Sequence, residues 1–221
     1  MKTSFEFLAG MYFDGNLHFN RYSIGIDFFT VGDAAHDQNV ALDRISYFMY
    51  DVVGKSVFIH EDEKTQIEAL NKANISVLTT PAPGPFDPII QSLIVTKMNA
   101  IADGVLDVSE SEFVSDISGP IVYVWDAVDD DDEIHKMVNG DDETKWWASP
   151  DPRFGSYPAG VDVAAVEEKQ PFPITWESLG LGWVDETEEN DVDVILDTVT
   201  KGKGNSTIIK ADFNPPKPKK K

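Results

Sequence analysis

Histidine is the side chain best suited to metal binding or proton transfer near neutral pH, and this chain has four: His18, His36, His60 and His135. The first three fall at or beside the edges of expected elements. His18 is at a strand start, His36 just before a long helix and His60 at a strand end. Imidazoles at such edges can converge on a zinc ion or around a small substrate. No two are spaced as a local motif, so a catalytic or metal-binding role for His18, His36 and His60 requires convergence in space. The chain has no cysteine, which excludes disulfides, thiolate nucleophiles, Cys-ligated zinc and iron–sulfur centres. Nothing resembles a G-x-S-x-G elbow, a phosphate-binding Walker loop, H-E-x-x-H or a kinase motif set.

Two arginines invite a second reading, because the chain has only three. A desolvated Arg21 or Arg44 needs a bidentate carboxylate such as Asp27 or Asp43, or else contacts a ligand carboxylate or phosphate. The polar run His36-Asp37-Gln38-Asn39 lies at an expected helix N-terminus. Free N–H groups there favour an anion, and Asp37 as an ordinary N-cap explains the same residues.

Charge is the strongest compositional signal. There are 39 acidic and 18 basic residues, for a formal net charge of −21. Residues 1–200 hold 38 acidic and 11 basic residues, whereas 201–221 hold seven lysines and only Asp212. Such a field repels nucleic acid and anionic membranes and attracts cationic partners. Nine of the 18 residues from Asp126 to Glu143 are acidic. Within them Asp129, Asp130, Asp131, Asp132 and Glu133 lack the spacing of a calcium loop. They form either a solvated loop or a string of charges that imitates nucleic-acid phosphates towards a basic partner. The turn-rich stretch beyond them carries Trp146, Trp147, Phe154 and Tyr157, with Phe172, Trp176 and Trp183 further on. Amphipathic rings of this kind glue a loop to a core or dock on another protein.

The elements that must position these residues follow from periodicity. Residues 4–13 and 17–31 read as two strands joined at Asp14-Gly15-Asn16, where φ > 0 is tolerated. Ala41, Ile45, Phe48 and Val52 form the stripe of a helix that ends near Gly54. A strand at 56–59, a shorter helix at 61–73 and a strand at 75–79 come next. Asp87-Pro88 opens a second long helix that runs to about Ala102, with Asp87 as its cap. Strands are expected at 105–108, 112–117 and 121–125. The fold class is therefore α+β, with a mixed or antiparallel sheet and two principal helices. The expected organisation is a compact domain at 1–126, an acidic, Trp- and Pro-rich extension at 127–191, a β-hairpin at 192–213 and a disordered basic tail at 214–221. No apolar run is long enough to span a bilayer. Glu6 interrupts the apolar start, where no cleavage site follows, so a cytoplasmic location is expected.

The order of elements in residues 4–125 resembles the tunnelling fold of the 6-pyruvoyltetrahydropterin synthase and GTP cyclohydrolase group. The segments HFNRYSIGIDF and HDQNVALD carry that resemblance. It implies a small-molecule enzyme acting on a purine- or pterin-like substrate, with His18, His36 and His60 around zinc. The chain departs from the pattern in several places. The family's His-x-His is here His18-Phe19-Asn20, its Asp-His is inverted to His36-Asp37, its catalytic cysteine has no counterpart, and an extra strand and helix interrupt the order.

The residues themselves favour a different function. They fit a non-catalytic interaction or assembly subunit, with no cofactor, that engages another protein, such as a basic one, or copies of itself. Trp146, Trp147, Phe154, Tyr157 and the 129–133 carboxylates are its expected contacts, and direct nucleic-acid or membrane binding is not expected.

Overall fold

The computed structural model describes residues 1–31, 34–128, 145–152 and 174–183. The hairpin expected at 192–213 and the basic tail lie outside them. Strand β1 (Lys2–Phe13) turns at Asp14-Gly15, both with positive φ, into β2 (Asn16–Thr30). Helix α1 (Ala35–Tyr47), β3 (Ser56–His60), α2 (Lys64–Lys72), β4 (Ser76–Thr80) and α3 (Asp87–Ala102) follow. Strands β5 (Leu106–Ser115) and β6 (Tyr123–Asp126) complete the order. The fold is α+β with a mixed six-stranded sheet, ordered β4-β3-β1-β2-β5-β6. Parallel pairing joins β4, β3 and β1, and antiparallel pairing joins β1, β2, β5 and β6. Strands β3 and β4 thus extend the sheet on one side, beyond the antiparallel run of β1, β2, β5 and β6.

Strand alternation decides which face is core. Phe5, Phe7 and Ala9 on β1 and Tyr22, Ile24, Ile26 and Phe28 on β2 are buried against Ile45, Phe48 and Met49 and against Ile90, Leu93, Ile94 and Met98 of α3. A second small cluster, Ile59, Ile67 and Val77, seats α2 against β3 and β4. Its residues lie on the opposite face of those strands from Phe58 and Leu78, which join the main core.

Three local expectations are corrected. Helix α1 starts at Ala35, and its N-cap, Ala34, provides no side-chain bond. Asp37 lies in the first turn, where its charge favours the helix dipole rather than capping. After Tyr47 the chain widens into a π-turn at Phe48–Val52 and tightens into a 3-10 turn at Val53–Lys55. Gly54 stands there because an added Cβ would come within 3.3 Å of the Met49 carbonyl. The strands expected at 105–108 and 112–117 are one strand, β5. A bulge shifts its register between Asp27 and Phe28, which breaks the alternation at Ser109.

Candidate functional site

The three histidines are not brought together. His18 pairs across β1 with Met11, while His60 ends β3 on the other side of β1, one residue beyond Ile59, which pairs with Tyr12. His36 is on the first turn of α1, which follows Thr30 at the opposite end of β2 from His18. His60 Nδ1 accepts the Asp62 backbone N–H at 3.2 Å, with the Asp62 carboxylate 3.9 Å away. Among the described residues no group of three or more His, Asp or Glu side chains is placed to hold a metal ion.

The arginines have found partners within the chain. Arg21 lies on the exposed sheet face and pairs with Asp116 at 3.3 Å, not with Asp27. Arg44 is the desolvated one. Its Nε donates to the Leu181 carbonyl at 2.6 Å, and its guanidinium lies 3.9 Å from the Trp183 ring centre and 5.1 Å from that of Trp176. Burial lowers its pKa, and the charges of Glu177 and Asp103 oppose that shift. Aromatic faces and a carbonyl take the place of the carboxylate expected beside it.

Three described tryptophans of the extension are core residues, and Trp183 is partly buried against them. Trp146 and Trp147 are each only 3% exposed and Trp176 only 6%. Trp146 packs against Phe48 with ring centres 6.2 Å apart, and its Nε1 donates to the Thr79 carbonyl at 2.8 Å. Trp176 packs edge-on against Tyr47 and donates to the Pro150 carbonyl at 2.8 Å. Lys97, fully buried on α3, donates to the carbonyls of Ser149 and Asp151 at 2.6 and 2.7 Å. In the described unit, Trp146 and Trp147 therefore hold the irregular chain against the helices instead of presenting a docking surface. Phe154, Tyr157 and the carboxylates Asp129, Asp130, Asp131, Asp132 and Glu133 lie outside the described residues.

What remains open is a sheet face. The side of β1, β2, β5 and β6 away from α1 and α3 is covered by no element among the described residues. The register lines its side chains into rows: Lys2, Asp27, Glu110 and Asp126; then Ser4, Gly25, Glu112 and Val124; then Glu6, Ser23 and Val114. Among the described residues carboxylates outnumber the cations there, which are Lys2, Arg21 and the N-terminal ammonium. Burial opposes ionisation of Asp27, but hydrogen bonds from the N-terminal ammonium and from Lys2 outweigh it and hold its pKa below the ordinary value. Large apolar side chains punctuate the same face: Leu8 is 56% exposed, Phe19 71%, Phe29 63% and Val124 62%. Two shallow depressions open on it. One, of about 330 Å³, lies beside Glu6, Arg21, Ser23 and Asp116, and the other, of about 150 Å³, lies between Lys2, Gly25 and Glu112.

A polar nest fixes one end of this face from behind. Asp87 does not cap α3, as the sequence suggested. Its carboxylate accepts the Ser115 hydroxyl at 2.6 Å and the Ser118 hydroxyl, while Asn20 Oδ1 accepts the Ile117 N–H at 3.2 Å. These bonds pin the β5–β6 connection to α3 and β2. The Tyr22 hydroxyl and Asn20 Nδ2 are buried there with no hydrogen-bond partner among the described residues. Burial pushes the Tyr22 pKa up to about 12; the neighbouring Asn20 side chain opposes the shift and the Asp87 charge adds to it. The arrangement holds the β5–β6 connection in place.

Sequence reasoning missed the open face because acidity was weighed by runs. The signal was present in the strand residues Asp107, Glu110 and Glu112, which alternate with Leu106, Ser111 and Phe113 once the bulge is allowed for. Compared with models of known protein families and with curated proteins, the chain matches none.

Proposed function

We propose that this protein is a non-catalytic interaction or assembly subunit that holds a basic protein partner on the acidic face of β1, β2, β5 and β6, which no described element covers. The observation that carries this reading is the composition of that face. Leu8, Phe19, Phe29 and Val124 stand exposed among Glu6, Asp27, Glu110, Glu112 and Asp126. Exposed apolar groups within a charged surround mark contact surfaces. Three strands about 4.8 Å apart and roughly ten residues long, with the four residues of β6 beside them, present roughly 500 Å² before side-chain relief is added. A stable interface buries about 800 Å² per partner, so the face is of useful size. Charge selects the partner. A second copy would set carboxylates against carboxylates, which costs several kcal/mol where like charges meet, whereas a basic surface gains from every row.

Charge reversal tests the reading. Fluorescein-labelled octalysine stands in for the basic partner, and its anisotropy is followed at increasing salt. Glu6→Lys/Glu110→Lys/Glu112→Lys should weaken binding about tenfold. The control Asp43→Lys/Asp62→Lys/Glu68→Lys makes the same change in net charge on helices and loops and should weaken it far less. Equal losses in the two variants would show that octalysine reads only total charge, and would overturn the reading.

A further inference from the structure

The two edges of the sheet are treated differently. At the β4 edge, the Thr79 carbonyl takes the Trp146 indole N–H, and Lys145 pairs with Glu61 at 2.9 Å beside it. Strand β4 is buried over Val77–Thr80. At the β6 edge the backbone is open. The Ala127 N–H donates to the Ser109 carbonyl, which makes this a hydrogen-bonded pair of the antiparallel ladder. Alternation then aims the N–H and C=O groups of Trp125 and Tyr123 at β5 and those of Val124 and Asp126 outward. The same parity follows from the other side of β5, where the Asp116 N–H donates to the Arg21 carbonyl. Among the described residues, nothing bonds to the outward N–H and C=O groups of Val124.

The side chains along this edge suit strand pairing. Ile121-Val122-Tyr123-Val124-Trp125 is β-branched and aromatic, holds no charge and no proline, and leaves Ile121, Val122 and Val124 more than half exposed. Folded proteins blunt such an edge with lysine, proline, a bulge or a cover, because an unpaired ladder recruits strands. Here the open edge adjoins the acidic rows, with Asp126 on β6 and Glu110 and Glu112 directly across on β5.

The geometry points to strand addition at β6: an extended segment of the partner, with basic and apolar residues in alternation, pairs with Val124 and Asp126 as a seventh strand. This rests on the acidic-face reading and specifies how the partner is held. On the added strand, every second side chain falls on the open face. There a lysine lies beside Asp126 and within about two strand spacings, roughly 10 Å, of Glu110 and Glu112. The intervening side chains fall beside Tyr123 on the helix-bearing face. Main-chain bonds supply affinity and the alternating side chains supply selection, as in other strand additions.

The probe is the peptide acetyl-Lys-Val-Lys-Val-Lys-Val-Lys-amide, compared with the same peptide N-methylated at alternate residues and with octalysine. The first peptide should bind the wild-type chain and protect the Val124 and Asp126 amides from hydrogen exchange. Its methylated form, with the same charge but without one row of donors, should bind about tenfold more weakly. Val124→Pro removes an outward N–H and no ladder bond to β5, so it should weaken the first peptide about tenfold and leave octalysine unchanged. Equal binding of methylated and unmethylated peptides to the wild-type chain overturns strand addition even if Val124→Pro does not fold. Loss of octalysine selectivity in the charge-reversal variants, by contrast, overturns the acidic-face reading beneath it.

Discussion

The indole N–H of Trp146 donates to the carbonyl of Thr79 at 2.8 Å, and this one bond joins the irregular chain after residue 144 to the outer edge of β4. It gives the Thr79 carbonyl a donor and places a large ring against Phe48 at the same time. One sheet edge is thereby closed from within the chain, while β6 keeps its ladder groups outward.

Closing that edge has a measurable stability. Trp146→Ala should destabilise the protein by about 3–5 kcal/mol, as deletions of buried aromatic rings do. Trp146→Phe keeps much of the packing but leaves the Thr79 carbonyl without the indole donor, and should cost about 1–3 kcal/mol. Urea unfolding followed by far-ultraviolet circular dichroism measures both. A surface-docking Trp146 would instead give changes within about 0.5 kcal/mol.

Tyr22 makes stability depend on alkaline pH. The unfolded phenol ionises at its ordinary value of 10.0, and the folded one, raised by burial, at about 12. Between these values the folded state holds the proton more tightly, so its contribution is intact below pH 10 and is lost as pH rises towards 12. The loss amounts to about 2–3 kcal/mol by order of magnitude. Tyr22→Phe should flatten that slope. At neutral pH it should be neutral or stabilising, since it removes a buried hydroxyl that has no hydrogen-bond partner among the described residues. Denaturant titrations from pH 8 to 11.5 give the comparison, and a slope unchanged in Tyr22→Phe would assign the alkaline transition elsewhere.

Arg44 holds residues 176–183 in place through shape as well as charge. Arg44→Lys keeps the charge but loses the planar stack on Trp183 and the directed bond to the Leu181 carbonyl, and should cost about 1–2 kcal/mol. Tryptophan emission should shift to longer wavelength as Trp183 and Trp176 gain water. An unshifted spectrum would show that the rings stay seated without the guanidinium.

Asp87 acts on the connection that precedes β6. Asp87→Ala leaves the Ser115 and Ser118 hydroxyls without their acceptor and should cost about 1–3 kcal/mol. Hydrogen exchange should quicken first at Ile117 and Ser118, whose N–H groups bond to Asn20 and Ser115. Uniform acceleration across the sheet would mean that Asp87 stabilises the fold as a whole and does not pin this loop.

Much of the fold was legible because strand and helix periods were clean where packing is simple. Tyr22, Ile24, Ile26 and Phe28 announced β2, and the stripe through Ala41, Ile45, Phe48 and Val52 marked the surface that the sheet covers, with all of these residues buried. The bulge in β5 hid a single strand, since two residues facing one partner invert the alternation that marks a strand. Asp87 read as a cap because Asp-Pro is a helix-start signal; only the chain folded back from residues 115–118 shows where its carboxylate goes. Arg44 is similar: its partners Leu181 and Trp183 lie far along the sequence, where periodicity is silent. The site was least legible of all. A single charge on an alternating strand carries little weight in composition, and Glu6, Glu110 and Glu112 become neighbours only through strand register.

The most direct measurement is a map of amide chemical-shift changes in the ¹⁵N-labelled chain as octalysine is added at low salt. The account predicts that the changes concentrate on Glu6, Ser23, Gly25, Glu110, Glu112 and Val124 and fade as salt is raised. Changes confined to the acidic run at 129–133, with β2, β5 and β6 unmoved, would contradict it.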